Sequence, residues 1–406
     1  MKGYAELESL FADWRAFEHP PLHDGAPDYG APAMARQHAA LKDYQARLAA
    51  IDASAWPVAD RVDYELLRAE MHGMDFNHRV LRPWARDPAF YTTVWTEQSD
   101  TPAHEGPVHH GLVELWTYEF PLSAAAADEL AQGLVTIPPL LGQARANLTG
   151  NARELWLAGI GNLRQQAQAL VELEERIAGA GSRVERARRE ALAATESFVA
   201  WLQAQAPSKT GPSGVGKENY TWYQRHVHLV PLSWEQQVDL LQRELARAHA
   251  SLRLEEQRNR DLPPMPVITT AEEYQERGNA AVTRYHEFLA AKDIMAVEPW
   301  MDPAMRAHVG EFVAEDQRNF FAIATHYEPL TLYTHFYHWW DLARMREQPH
   351  TSAIRRGPLL YNIWDSRAEG MATGMEEMMM HAGLYDALPR AREIVWIMFA
   401  QRGARG

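Results

Sequence analysis

No cysteine occurs in the 406 residues. That excludes disulfide scaffolds, cysteine nucleophiles, thiolate zinc sites and iron–sulfur clusters together. Any metal has to sit on histidine and carboxylate, and the chain offers 18 His and 54 Asp+Glu. Positive charge is scarce as well: 40 Lys+Arg leave a net charge of −14. Nucleic acid is therefore not an expected partner, because phosphate contacts need a basic face. No polybasic or basic amphipathic segment points to an anionic membrane. Long apolar runs are missing too. Ile394 to Ala400 is among the longest, and it is too short to span a bilayer. The opening residues, Met1 to Glu8, read as a helix and lack the basic-then-apolar layout of a signal peptide. The expected address is the cytoplasm.

Alternating strand patterns are also lacking, and helical periodicity fills their place. From Val58 to His78, apolar residues fall mainly at three- and four-residue steps, with Asp60 and Asp63 suiting the helix dipole in the first turns. Leu155–Ala178 and Val184–Ala204 repeat the pattern in strong helix formers. Ser233 to Gln236 has capping-box spacing and opens a helix to about Arg258; Thr270 to Glu273 opens another to about Ala291. Tyr91–Trp95 and Pro329–Tyr333 are β-prone but short. The expectation is an all-α fold, mainly helical with at most a few short strands. It is a single body over residues 1–406, with two lobes dividing near residue 210 as a variant of that reading.

Three motifs resemble sites without meeting their chemistry. Gly211 to Lys217 follows the first part of a phosphate loop, but Glu218 stands where a Ser or Thr would hold magnesium, and a helix precedes it. His104, His109 and His110 carry a zinc-peptidase flavour, but Pro107 and the spacing forbid the single helix that motif needs. His226 and His228 share a face only if extended. A flexible loop, a polar loop and polar satisfaction at a helix end are the plainer readings.

The densest chemistry lies near the end. His335 and His338 are at i, i+3 and can address one point, and Asp341 continues their ridge. A second helix carries Glu369, Glu376, Glu377 and His381. Glu369 and Glu376 are nearly eclipsed, and Glu377 and His381 are one turn apart. Two such helices facing each other suit a divalent metal in a helical core. The same residues also suit a plainer role, with Glu376 and Glu377 on a solvated face and Met375, Met378, Met379 and Met380 in packing.

Several segments resemble the bacterial domain-of-unknown-function family 885, whose fold is similar to helical zinc metallopeptidases. They are Leu48 through Arg68, Ile137 through Leu148, Gly216 through Glu235, and Ala368-Glu-Gly-Met-Ala372, which is similar to the family's Glu-Gly-Trp-Ala. The resemblance implies a bilobed metallopeptidase-like architecture. It also implies His335 as the first ligand of a His-Glu-x-x-Pro-Gly-His-His element and Glu369 as the later glutamate ligand. Phe336 replaces the element's Glu, and His338 or Asp341 would take the second ligand's place. Trp396 and Ala400 stand where a later Asp and His would fall.

The expected function is a metal-dependent hydrolase-like enzyme on a small peptide- or amide-like substrate. A divalent ion, zinc by preference, would be held by His335, His338 and Glu369. Because Phe336 cannot act as base, that role passes to Glu377 with His381. Tyr337, Tyr361 and Arg367 would stabilise developing negative charge. The alternatives are a metal-dependent lyase, hydratase or isomerase on an aromatic or acidic molecule, and a non-catalytic relative with a decayed site. A homo-oligomer stays open.

Overall fold

The computed structural model describes residues 2–98, 112–357, 359–361 and 364–406. The fold is all-α, with two short strand pairs among the described residues: β1 (Leu22–His23) with β2 (Ala26–Pro27), antiparallel, and β3 (Val94–Trp95) with β4 (Val113–Glu114), parallel. No helix among the described residues is long and apolar enough to cross a membrane. The chain forms two compact units. The first is Met1–Leu229 with Pro358–Asn362, and the second is Val230–Gly357 with Ile363–Gly406.

The first unit contains α1 (Lys2–Glu18), α2 (Ala31–Ala49), α3 (Val58–Phe76), α4 (Pro83–Arg86), α5 (Ala124–Leu134), α6 (Ile137–Asn147), α7 (Arg153–Arg176), α8 (Ser182–Gln205) and α9 (Lys217–His226). Its core gathers the apolar stripes of α5 to α8 around the fully buried Trp156 and Phe198. The first turns of α3 carry Asp60, and Asp63 is buried, accepting from the Tyr4 hydroxyl at 2.6 Å. α3 then loosens into a π-helical turn, Asn77–Leu81. Gly73 lets Tyr361 lie against α3, since any Cβ there would collide with the tyrosine ring.

The glycine-rich segment from Gly211 is a structural loop. The backbone N–H groups of Thr210 and Gly211 donate to Asn151 Oδ1, and Ser213 Oγ accepts from Glu154 and Leu155 at the start of α7. The Gly211 N–H is thus spent inside the protein. His104, His109 and His110 lie outside the described residues. His226 ends α9, and its carbonyl accepts from the His72 ring at 3.3 Å.

The second unit contains α10 (Trp234–Arg258), α11 (Ala271–Ala291), α12 (Met301–Arg306), α13 (Phe320–Tyr327), α14 (Pro329–Tyr333), α15 (Tyr337–Glu347), α16 (Trp364–Ala382) and α17 (Ala391–Arg405). Ser233 closes a full capping box on α10, and Thr270 accepts from Glu273 N at the start of α11. The β-prone stretch 329–333 is helical. Pro329 occupies the first turn, where no N–H is needed, and the Glu328 side chain caps Leu330 N at 3.2 Å. Buried Tyr285, Tyr333, Trp340, Met379 and Met380 form the core, so the methionine run is largely packing.

The π-helical turn supplies a pH-sensitive element. His78 stacks on His38 with ring centroids 4.9 Å apart, and its Nε2 lies 3.1 Å from Gln37 Oε1. Burial, reinforced by the neighbouring His38, pulls its pKa down to about 4. The unfolded chain takes up this proton near pH 6.5, which the folded chain resists. The contribution is therefore full above pH 6.5 and is lost as pH falls through about 4. His78→Gln should flatten that acid limb by at most about 3 kcal/mol, read by urea unfolding between pH 7 and 4. An unchanged slope would show that His78 takes up its proton equally in both states.

Candidate metal centre

The elements α14, a tight 3-10 turn (Thr334–Phe336) and α15 follow without a break. His335 sits in the tight turn and His338 in the first turn of α15, with ring centroids 5.2 Å apart at 76°. Thr334 Oγ1 donates to the Thr331 carbonyl, and Arg277 holds the capping Glu328. The two histidines are therefore set on well-supported backbone.

α16 brings carboxylates to them. His335 Nε2 is 3.1 Å from Glu369 Oε2, and His338 Nε2 is 4.0 Å from Glu369 Oε1. One donor atom from each of His335, His338 and Glu369 falls within 4.8 Å of the others. The other face of His335 meets Glu376: Nδ1 to Oε1 is 2.9 Å, off the line of an ideal hydrogen bond. Glu376 is fully buried and is gripped by Arg402 of α17, with Nη1 to Oε2 at 2.6 Å and Nη2 to Oε1 at 2.7 Å. This fork-to-fork pair is the strong form of carboxylate recognition.

Electrostatics follow from that arrangement. Burial works to lower the His335 pKa, but the hydrogen bonds and charges of Glu369 and Glu376 outweigh it and push the group up to about 9. The hydrogen bond from His335 holds Glu369 below the usual carboxylate range. The side chains of His335 and His338 are 12% and 5% exposed, whereas that of Glu369 is 44% exposed. The cluster is closed at its histidines and open at its carboxylate.

The remaining nominated residues have surroundings of their own. Glu377 and His381 do contact each other at 3.2 Å, but Arg247 of α10 takes both Glu377 oxygens at 2.6 and 2.9 Å and lowers its pKa. Phe336 stacks on Tyr333, and Tyr337 packs half-buried against the core. Tyr361 belongs to the first unit, where it is buried and shares a hydrogen bond with Asn77. The side chain of Arg367 lies outside the described residues. Glu376 and Arg402 complete the site although no role was assigned to them from sequence. The seven-residue interval from Glu369 to Glu376 was the available signal.

The sequence profile described as "Bacterial protein of unknown function (DUF885)" matches residues 16–320. The chain belongs to this family. The matched stretch takes in most of the first unit and part of the second, and ends before His335. No protein of curated function matches the chain. Among solved structures, the chain is similar to a candidate lipoprotein of unknown function from Shewanella oneidensis. The two share 15% identity, with 97% of this chain and 80% of that chain covered and a TM-score of 0.63. That likeness establishes a common fold.

The Arg402–Glu376 pair yields a stability test. Removing one partner of a buried pair strands a charge and typically costs about 3–5 kcal/mol. Arg402→Met should therefore be strongly destabilised in urea, and adding Glu376→Gln should recover a good part of the loss. A double variant no more stable than Arg402→Met would show that the arginine acts by packing alone.

Proposed function

We propose that this protein is a metal-dependent hydrolase acting on a small peptide- or amide-like substrate, with His335, His338 and Glu369 as ligands of a zinc-type divalent cation. The observation that carries this reading is the two-sided use of His335. Its Nε2 faces the other two donors while its Nδ1 faces a buried carboxylate. Metal-bound histidines characteristically rest on a carboxylate in this way, which fixes the tautomer and strengthens the donor. The donor set fits the group: two imidazoles and one carboxylate with one open side match three-ligand catalytic zinc sites. Donors about 2.1 Å from one ion stand no more than about 4.2 Å apart. His335 Nε2 and Glu369 Oε2, 3.1 Å apart, meet that limit, and the whole donor set lies within 4.8 Å.

When bound, such an ion polarises a carbonyl and acidifies water. The chain's own residues do the rest. Arg402 grips Glu376 through two hydrogen bonds, Glu376 lies against His335 Nδ1, and Glu369 is the most exposed of the three donors. A second reading, metal-dependent elimination or isomerisation, is favoured by one feature. Phe336 supplies no base, and the Glu377 carboxylate is tied to Arg247. Solvent-oxygen incorporation into product separates the two.

Protein purified without chelator or affinity metal should carry about one divalent ion per chain by elemental analysis. Glu369→Gln and His335→Ala should remove it, and Glu376→Gln should weaken retention about 10–100-fold. Full metal content in the His335→Ala/Glu369→Gln double variant would sink the proposal.

A further inference from the structure

The first unit holds a groove that shares no residue with the metal cluster. It lies between the extended stretch 92–98, which contains β3, and one stripe of α7, and its volume is about 330 Å³. The stripe is Asn162, Gln165, Gln166 and Ala169, at i, i+3, i+4 and i+7. A helix stripe with that spacing is ordinarily apolar, but here three of its four residues carry carboxamides. Gln166 is 1% exposed and works as a staple. Its Oε1 accepts the N–H groups of Thr93 at 2.7 Å and Val94 at 3.2 Å, and its Nε2 donates to Thr195 Oγ1 at 3.1 Å. The extended stretch is thereby fixed to α7, and the groove is shaped before any ligand arrives. Asn162 and Gln165 line it from exposed positions, and Gln98 lines it from the other wall. Thr92 lines it too; this residue is 9% exposed, and its Oγ1 is buried without a hydrogen-bond partner.

We propose that this groove binds a neutral sugar. A carboxamide offers a donor and an acceptor on one planar group, which complements a hydroxyl that both donates and accepts. The Thr92 hydroxyl calls for the same kind of partner, since natural interiors seldom leave such a group unmet. Val94, Trp95 and Ala169 add apolar surface for the C–H groups of a sugar ring. Charge selects against other small molecules. No lysine, arginine or histidine lines the groove, so a carboxylate or phosphate finds no counter-charge. Free amino acids and short peptides are disfavoured for the same reason. A cation meets only Glu97, whose exposed charge is worth little in water. The volume stands at the small end of the range for ligand pockets, about 300–1,000 Å³, and suits a ring rather than a long chain.

The test uses the full chain and saturation-transfer NMR titrations with glucose, galactose, mannose and N-acetylglucosamine. Glucuronate, glucosamine and N-acetylglycinamide serve as the anionic, cationic and amide comparisons. The expected result is saturable binding of at least one neutral sugar, tighter than that of all three comparisons. An Asn162→Ala/Gln165→Ala variant changes exposed helix positions where alanine keeps the helix. It should weaken binding about 10-fold or more, because two hydrogen-bonding groups are lost. Thr92→Val, close in shape but without the hydroxyl, should weaken it about 3–10-fold. No saturable binding by any of the four sugars would overturn the proposal, and so would undiminished affinity in the double variant. Equal binding of glucuronate or glucosamine would show that charge is not selected, and equal binding of N-acetylglycinamide would reassign the groove to amides; either result refutes it. If Thr92→Val does not fold, the double variant decides.

Discussion

Glu376 is a carboxylate with no exposure to water, and three segments of the second unit meet at it. An isolated ion at such a position would cost several kcal/mol. Arg402 meets it with two hydrogen bonds from α17, and His335 meets it from the tight turn before α15. One buried charge thus ties three separate segments to a common point. Apolar packing alone would allow these helices to slide by small amounts. A bidentate guanidinium–carboxylate pair has a directional geometry that does not.

The first unit solves the same difficulty by a different route. Glu70 is equally buried, but its oxygens accept backbone N–H groups of Leu360 and Tyr361. Glu18, beside it electrostatically, is only partly met by Arg15. The contrast is instructive. Glu376 is met on both sides by groups able to carry positive charge, and it supports another residue. Glu18 has one such partner, Arg15, beside the Trp14 indole N–H.

Much of the helical skeleton was legible because it rests on local chemistry. Ser233 and Thr270 announce their helices by side chains that reach only three residues ahead. Pro329–Tyr333 was misleading because its β-branched and aromatic content says strand, whereas Pro329 and the Glu328 cap settle the local geometry as helix. The approach of His335 and His338 follows from their three-residue interval. The approach of His335 to Glu369 spans 34 residues, and the choice of Glu369 among the carboxylates of its helix came only with the family resemblance. Sequence also could not say which of two adjacent glutamates faces inward. Glu377 has an i, i+4 histidine and looked the more chemical of the two, yet that pair turns to Arg247, and Glu376 meets His335. A rotation of about 100° per residue separates them, and only the packing of α10 and α17 fixes it.

Charge counting shows what the cluster would offer a cation. Glu376 and Arg402 cancel, leaving the Glu369 carboxylate beside two imidazoles. That leaves room for positive charge, which a proton on His335 supplies when nothing else does; hence its pKa of about 9. A divalent ion between the same donors would answer the same imbalance with neutral imidazoles, so proton and metal compete for one electrostatic vacancy. A glutamate at position 336 would add a further negative charge. Phe336 instead buries its ring against Tyr333, on the apolar side of the turn. Phe336 thus adds no charge to the cluster. On the proposed reading, holding a cation would fall to His335, His338 and Glu369, and moving a proton to a group other than residue 336.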